Sequence, residues 1–148
     1  MTPIHIRQDR LCILHVGARR LAVPLVDVAY FARASEQQSV QDGHRWMAGV
    51  LALRGTSTWL PVVDLALLWD DPLLSGSWGQ IVATHAGIAV GADRYTTTRE
   101  AVPILNLRPA PGIAALRRAV LLDGQPIPVL DVYRLITPEQ WVAVTATA

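Results

Sequence analysis

The sequence predicts an all-β protein of two small β-barrel lobes, with short helical turns between strands and a short C-terminal helix. Three observations predict it. The first is a recurring phrase of apolar, Pro, apolar, apolar, Asp and apolar residues. It reads Val23-Pro24-Leu25-Val26-Asp27-Val28, Leu60-Pro61-Val62-Val63-Asp64-Leu65 and Ile127-Pro128-Val129-Leu130-Asp131-Val132, with a looser copy, Val102-Pro103-Ile104-Leu105-Asn106-Leu107. Pro lacks an N–H and belongs at a strand start, edge or bulge, and the β-branched residues around it favour strand. The Asp is expected to accept from backbone N–H groups ahead of it and so cap a turn or short helix. The second observation is that the second and third copies lie in matching contexts: a turn with Gly, a strand with Pro, an Asp cap, a helical turn. That repetition points to one architecture used twice. The third is bulk composition: half of the 148 residues are hydrophobic and only 17% are charged, which marks a folded chain with a real core.

The elements follow in order. Leu11 to Val16 reads as a strand stopping at Gly17, and Arg20 to Val23 resumes after the turn, giving a hairpin. Val28 to Ala32 is a third strand. Ser35 to His44 is polar and reads as a loop. Met47 to Leu53 is a strand running into a turn at Arg54-Gly55, and Thr58 to Val63 is the next strand. Asp64 to Trp69 reads as a capped helical turn, stopped by Asp70-Asp71-Pro72. Gln80 to Thr84 and Gly87 to Val90 form a second hairpin around His85-Ala86, and Tyr95 to Arg99 is a strand. Arg108 to Gly112 is a break. Ala119 to Leu122 and Ile127 to Leu130 flank Asp123-Gly124, the dipeptide that suits a tight primed turn. Tyr133 to Ile136 is a helical turn. Thr137-Pro138-Glu139-Gln140 then has the pattern that opens a helix, which is expected to run through Trp141 to Val144. Residues 8–148 are read as one domain and residues 1–7 as an N-terminal tail.

Function classes are narrowed by what the chain carries. A net charge of +1 gives no basis for a nucleic-acid partner. No segment reaches 18 uninterrupted apolar residues, so no direct membrane insertion is expected, and the polar first ten residues do not read as a signal peptide. The single cysteine, Cys12, sits in an apolar run and reads as a buried hydrophobe. A cytoplasmic setting is therefore expected. All thirteen basic residues are Arg, which is compatible with Arg-rich contact surfaces. The four histidines lack the spacing of a zinc site. Asp64, Asp70 and Asp71 cluster in sequence and could serve acid–base work or hold a hard cation; each also reads as a cap or turn residue. No catalytic residue, metal or cofactor is therefore assigned. Of five tryptophans, Trp46 and Trp69 adjoin polar loop residues and are the candidates for a protein interface.

The stretch Gly49-Val50-Leu51-Ala52-Leu53-Arg54-Gly55, followed by Leu60-Pro61-Val62-Val63-Asp64-Leu65, resembles the CheW-like family of coupling proteins in bacterial chemosensory arrays. The family pattern is Gly-Val-x-Asn-Leu-Arg-Gly and then Pro-[Val/Ile]-[Val/Ile]-Asp-Leu. Leu21-Ala22-Val23-Pro24, Leu107-Arg108-Pro109-Ala110-Pro111 and the hairpin from Asp123-Gly124 to Val129-Leu130-Asp131 extend the likeness over about residues 10 to 137 in the right order.

The resemblance implies two SH3-like five-stranded β-barrels packed on a shared hydrophobic interface. It implies a non-catalytic adaptor that links the tip of a methyl-accepting chemoreceptor to the regulatory domain of a CheA-type histidine kinase, in flagellar chemotaxis or in type IV pilus (twitching) signalling. Such a protein sits in the cytoplasm, at membrane-associated receptor arrays or the cell pole. The alternative is a divergent CheW-like scaffold recruited to another motility or cell-pole complex. Carried over by position, Arg54 and Gly55 fall on the family's Leu-Arg-Gly and Val28 on an apolar position of the same receptor-side surface. Near Tyr30 the family often has an acidic residue that pairs with the arginine; with Tyr there, Arg54 is expected to lack that ion pair. The partner-binding set is thus Val28, Tyr30, Arg54, Gly55, Trp46 and Trp69. Ala52 stands in place of the family's Asn, and about two extra residues, including Trp59, precede Pro61.

Overall fold

A computed structural model describes residues 7–40, 44–109 and 111–141. Its strands are β1 (Gln8–Asp9), β2 (Leu11–Val16), β3 (Arg19–Pro24), β4 (Val28–Arg33), β5 (Met47–Ala52), β6 (Trp59–Val63), β7 (Gln80–Thr84), β8 (Ala89–Ala92), β9 (Arg94–Thr97), β10 (Val102–Pro103), β11 (Leu105–Asn106), β12 (Arg118–Leu122) and β13 (Gln125–Val129). One helical turn, α1 (Leu65–Leu68), follows β6, and short 3₁₀ turns occupy Leu25–Asp27, Ala34–Glu36, Pro72–Leu74, Ala114–Leu116 and Val132–Arg134.

The strands form a five-stranded sheet, β4-β7-β8-β6-β5, and a six-stranded sheet, β11-β12-β13-β3-β2-β9, with β1 and β10 as a separate ribbon. The two sheets have the same order. Each pairs a phrase strand in parallel with the second strand of a hairpin: β6 with β8, and β13 with β3. The sixth strand of the larger sheet, β11, has its counterpart in an isolated bridge from Gln38 to Val50 beside β5. The middle of the chain therefore makes one lobe. The other is assembled from both ends of the chain, its N-terminal hairpin β2–β3 filling the place that β7–β8 fills in the middle lobe.

The phrase finds its physical meaning in this pairing. Pro61 and Pro128 lie on inner strands, each immediately before the first residue paired with the parallel neighbour, Val62 and Val129. The missing N–H thus falls where that ladder has not yet begun. Asp64 accepts from Leu67 N at 3.3 Å, and Asp131 from Tyr133 N at 3.2 Å. Asp27 departs from the expectation: it lies inside its 3₁₀ turn, whose start has no side-chain cap, because this copy leads across to β4 of the other lobe. Asp123 and Gly124 both have positive φ, 52° and 75°, the geometry of a type I′ hairpin turn. Thr137 and Gln140 bond reciprocally, Gln140 N to Thr137 Oγ1 at 3.2 Å and Thr137 N to Gln140 Oε1 at 2.8 Å. The helix they open is present at residues 138–141; its expected continuation to Val144 lies outside the described residues.

Alternation along the strands divides the core into three. Leu11, Ile13, Ala22, Ile127 and Val129 fill the interior of the lobe made from the chain ends. Leu51, Leu60, Val62, Ile81 and Ala83 fill the interior of the middle lobe. The residues between them in sequence, including Cys12, Leu14, Leu21, Val23, Val63, Val82 and Val90, join in one cluster between the lobes. A ring stack of Phe31 on β4 against Tyr95 on β9, centroids 4.0 Å apart, ties the two sheets together at its margin. Gly91 is required on β8, since a Cβ there would lie 2.3 Å from the Trp78 ring.

Two outcomes are expected. Val63 is fully buried in the inter-lobe cluster, and Val63→Asp, which buries an unpaired charge, is expected to abolish the cooperative thermal transition seen by circular dichroism. Burial pushes the Cys12 thiol up to about 12 from 9.0. At pH 8 a thiol of that acidity is only about one ten-thousandth thiolate, so Cys12 is expected to react with a disulfide reagent only once urea has unfolded the chain. The folded form keeps a proton that the unfolded form releases. This contribution to stability is therefore full below pH 9 and lost as pH rises towards 12.

Candidate protein-docking surface

The Arg54 site is built by a hairpin loop and a bulged edge strand. Between β5 and β6, Leu53 N donates to Thr58 O at 2.8 Å, and the Thr56 N and Oγ1 both donate to Leu53 O. Gly55 takes φ +78° with open space around its Cα, the left-handed backbone that glycine tolerates best. The loop so tied projects Arg54 outward over β4. Its guanidinium carbon lies 4.5 Å above the centre of the Tyr30 ring. Its Nη2 lies 3.3 Å from Glu36 Oε1 and 3.5 Å from Phe31 O. Tyr30 is fixed from the other side, its hydroxyl donating to Ala52 O at 2.8 Å.

Arg54 therefore has an ion pair, contrary to the expectation from Tyr30. The carboxylate has moved from strand β4 to the 3₁₀ turn that follows it. Glu36 is held there by the Arg33 N–H, which donates to its Oε2 at 2.6 Å; that bond first, and Arg54 second, holds the carboxyl below the usual range. Tyr30 supplies a ring face in place of a charge. The signal for Glu36 was present as an acidic residue three positions after the last strand residue, the spacing of a reciprocal turn bond, inside a segment read as plain loop.

Of the other candidates, Val28 does not share Tyr30's face. Its pairing with β7 shifts between Val28 and Tyr30, so Ala29 is an extra residue that reverses the alternation. Ala29 and Tyr30 pack on the interior of the middle lobe, whereas Val28 packs on the inter-lobe cluster. Trp46 is corrected from interface to core: it is 7% exposed within the inter-lobe cluster, because its carbonyl accepts from Asp64 N at 2.8 Å and draws the chain inward at the start of β5. Trp69 is half-buried and lines a different feature, a cleft of about 450 Å³ with Arg19, Leu21, Asp71, Ile113 and Ile127. The cleft lies where α1 and the turn after it meet the other lobe, and the Arg19–Asp71 ion pair, 3.1 Å, bridges it. Trp59 stands 47% exposed on β6, opposite Ala52.

The surface thus offers a planar cation on an aromatic ring, a carboxylate beside it, and a mixed apolar cleft with one aromatic wall. Asp64, Asp70 and Asp71 do not converge: Asp64 caps α1, Asp70 pairs with Arg45 at 3.1 Å, and Asp71 pairs with Arg19 and caps the next turn. A family model described as the CheW-like domain matches residues 10–140. The chain belongs to the CheW-like family. Among solved structures it is similar to the scaffolding protein TtCheW from Thermoanaerobacter tengcongensis, with a TM-score of 0.68 at 15% identity, covering 90% of this chain and 96% of that one. That likeness bears out the two-lobed, SH3-like all-β fold. No match was found among curated protein sequences.

Tyr30→Phe is expected to lower stability by about 1 kcal/mol, the value of one hydrogen bond, and to leave Arg54 on the ring. Tyr30→Ala removes both. A double-mutant cycle of Tyr30→Ala and Arg54→Ala, read from urea melts, is expected to give a coupling of ~0.5–1 kcal/mol; strict additivity contradicts the stacked geometry.

Proposed function

We propose that the chain is a non-catalytic adaptor that couples methyl-accepting chemoreceptor tips to the regulatory domain of a CheA-type histidine kinase. The systems it fits are flagellar chemotaxis or the signalling that controls type IV pilus twitching. The observation that carries this reading is the CheW-like family match across residues 10–140. A scaffolding role is also the one that TtCheW, a solved structure this chain resembles, is named for. The Arg54 cluster supports a receptor-side contact: an exposed, oriented guanidinium on an aromatic ring is the kind of group that anchors interfaces. Trp69 and its cleft supply a second contact region. The aspartates that could have served chemistry are each committed to a cap or an ion pair, which supports a non-catalytic role. No helix among the described residues is long and apolar enough to cross a membrane, in keeping with a protein working in the cytoplasm at receptor arrays or the cell pole.

The reading is tested by co-sedimentation with receptor-tip fragments in the presence of a chemosensory kinase. Wild-type chain is expected to carry kinase into the receptor pellet. Arg54→Ala is expected to weaken receptor binding roughly tenfold, a loss of about 1.4 kcal/mol, while its melting changes by under about 1 kcal/mol, as for an exposed pair. Undiminished receptor binding by a folded Arg54→Ala protein contradicts the receptor-side assignment.

A further inference from the structure

Three of the four phrase endings meet at one place. Because β13 and β3 run parallel with Val129 opposite Ala22, the residues after both strands leave the same end of the sheet. Asp27 and Asp131 there line one cleft. On the far side of β12, Asn106 pairs with Arg118, and both line it too. Asp64, the ending of the phrase in the middle lobe, lies at a separate surface depression.

The cleft measures about 480 Å³, and four arginines, Arg7, Arg117, Arg118 and Arg134, face two aspartates across it. The lining carries an excess of two positive charges. Arg7 pairs with Asp9, and Arg134 Nε lies 3.6 Å from Asp131 Oδ2. Asp131 Oδ1 is already used, accepting from Tyr133 N. Asp27 is half-buried; burial pushes its carboxyl pKa up, Arg7 and, more weakly, Arg118 oppose this, and Asp131 and Asp9 add to the rise. Arg117 and Arg118 form no ion pair among the described residues. Guanidinium groups gathered in a concave site repel one another, and an anion removes that cost. Their planar forks fit pairs of phosphate oxygens.

We propose that this cleft binds a small phosphate-bearing molecule, with Arg117 and Arg118 on the phosphate. Its volume lies in the range of small-molecule sites, and five separate chain segments wall it, which suits a compact ligand better than an extended acidic peptide. Tyr133, 59% exposed, offers a ring face on which a planar group of the ligand stacks. Asn106 and the Asp27 carboxyl can bond to hydroxyl or N–H groups beside it.

The test is calorimetric titration at low salt with AMP, pyrophosphate, inorganic phosphate and a short acidic peptide as probes. The proteins are wild type, Arg117→Ala/Arg118→Ala and Arg45→Ala, whose arginine pairs with Asp70 elsewhere. Wild type and Arg45→Ala are expected to bind AMP saturably at one site, more tightly than inorganic phosphate, and the double variant at least about tenfold more weakly. If the double variant does not melt cooperatively, Arg118→Lys replaces it; keeping the charge but losing the fork, it is expected to bind AMP more weakly. Three results overturn the proposal: no heat with AMP or pyrophosphate up to about 10 mM, far beyond a millimolar site; equal binding by a folded cleft variant; or binding only to an acidic peptide.

Discussion

Strands β2, β3, β7 and β8 bury side chains on both faces, and most of the architecture depends on that double burial. One face of each strand fills a barrel interior and the other fills the seam between the lobes. Cys12, Leu14, Val23, Val82 and Val90 are in this sense shared property: they cannot be removed from the seam without disturbing the strands that wall a barrel. Neither lobe has an apolar face to spare, so each is a folding partner of the other. The crossing of the chain reinforces this, since β3 leads directly into β4 of the other lobe and β8 into β9. The N-terminal hairpin completes the lobe that the C-terminal strands begin.

The same arrangement positions the surfaces. β4 and β9 are edge strands, and they meet at the seam through the Phe31–Tyr95 stack. The bulge after Val28 sends Val28 to the seam and Tyr30 to the opposite side, where the β5–β6 loop brings Arg54 over the ring. One irregular residue, Ala29, thus separates a structural side chain from one that can meet a partner. On the other flank, parallel pairing of β13 with β3 gathers the phrase endings into the arginine-lined cleft.

Much of the fold was legible because its signals are local. The Pro-containing phrase marked strands β6 and β13 and the caps at Asp64 and Asp131. Asp123-Gly124 marked its hairpin, and Thr137 and Gln140 marked a helix start. What was not legible depends on distant parts of the chain. No local pattern says that the N-terminal hairpin completes the C-terminal lobe, or that Asp27 ends a crossover instead of capping a turn. Trp46 read as an interface residue from its polar neighbours, yet the bond from Asp64 N to its carbonyl folds it into the core. The site was legible in part. Arg54, Tyr30 and Gly55 came from a motif, whereas the carboxylate partner was sought at position 30 and found at Glu36, because a 3₁₀ turn brings position 36 back beside the strand.

The central claim is that this two-lobed fold serves as a coupling scaffold. The most direct measurement is a binding titration of the folded chain against the isolated regulatory domain of a chemosensory kinase from the same organism. Saturable binding near micromolar Kd, about −8 kcal/mol, is the predicted result. No binding to any such domain, by a chain shown to be folded, contradicts the claim and leaves a CheW-like scaffold serving a different motility or cell-pole complex.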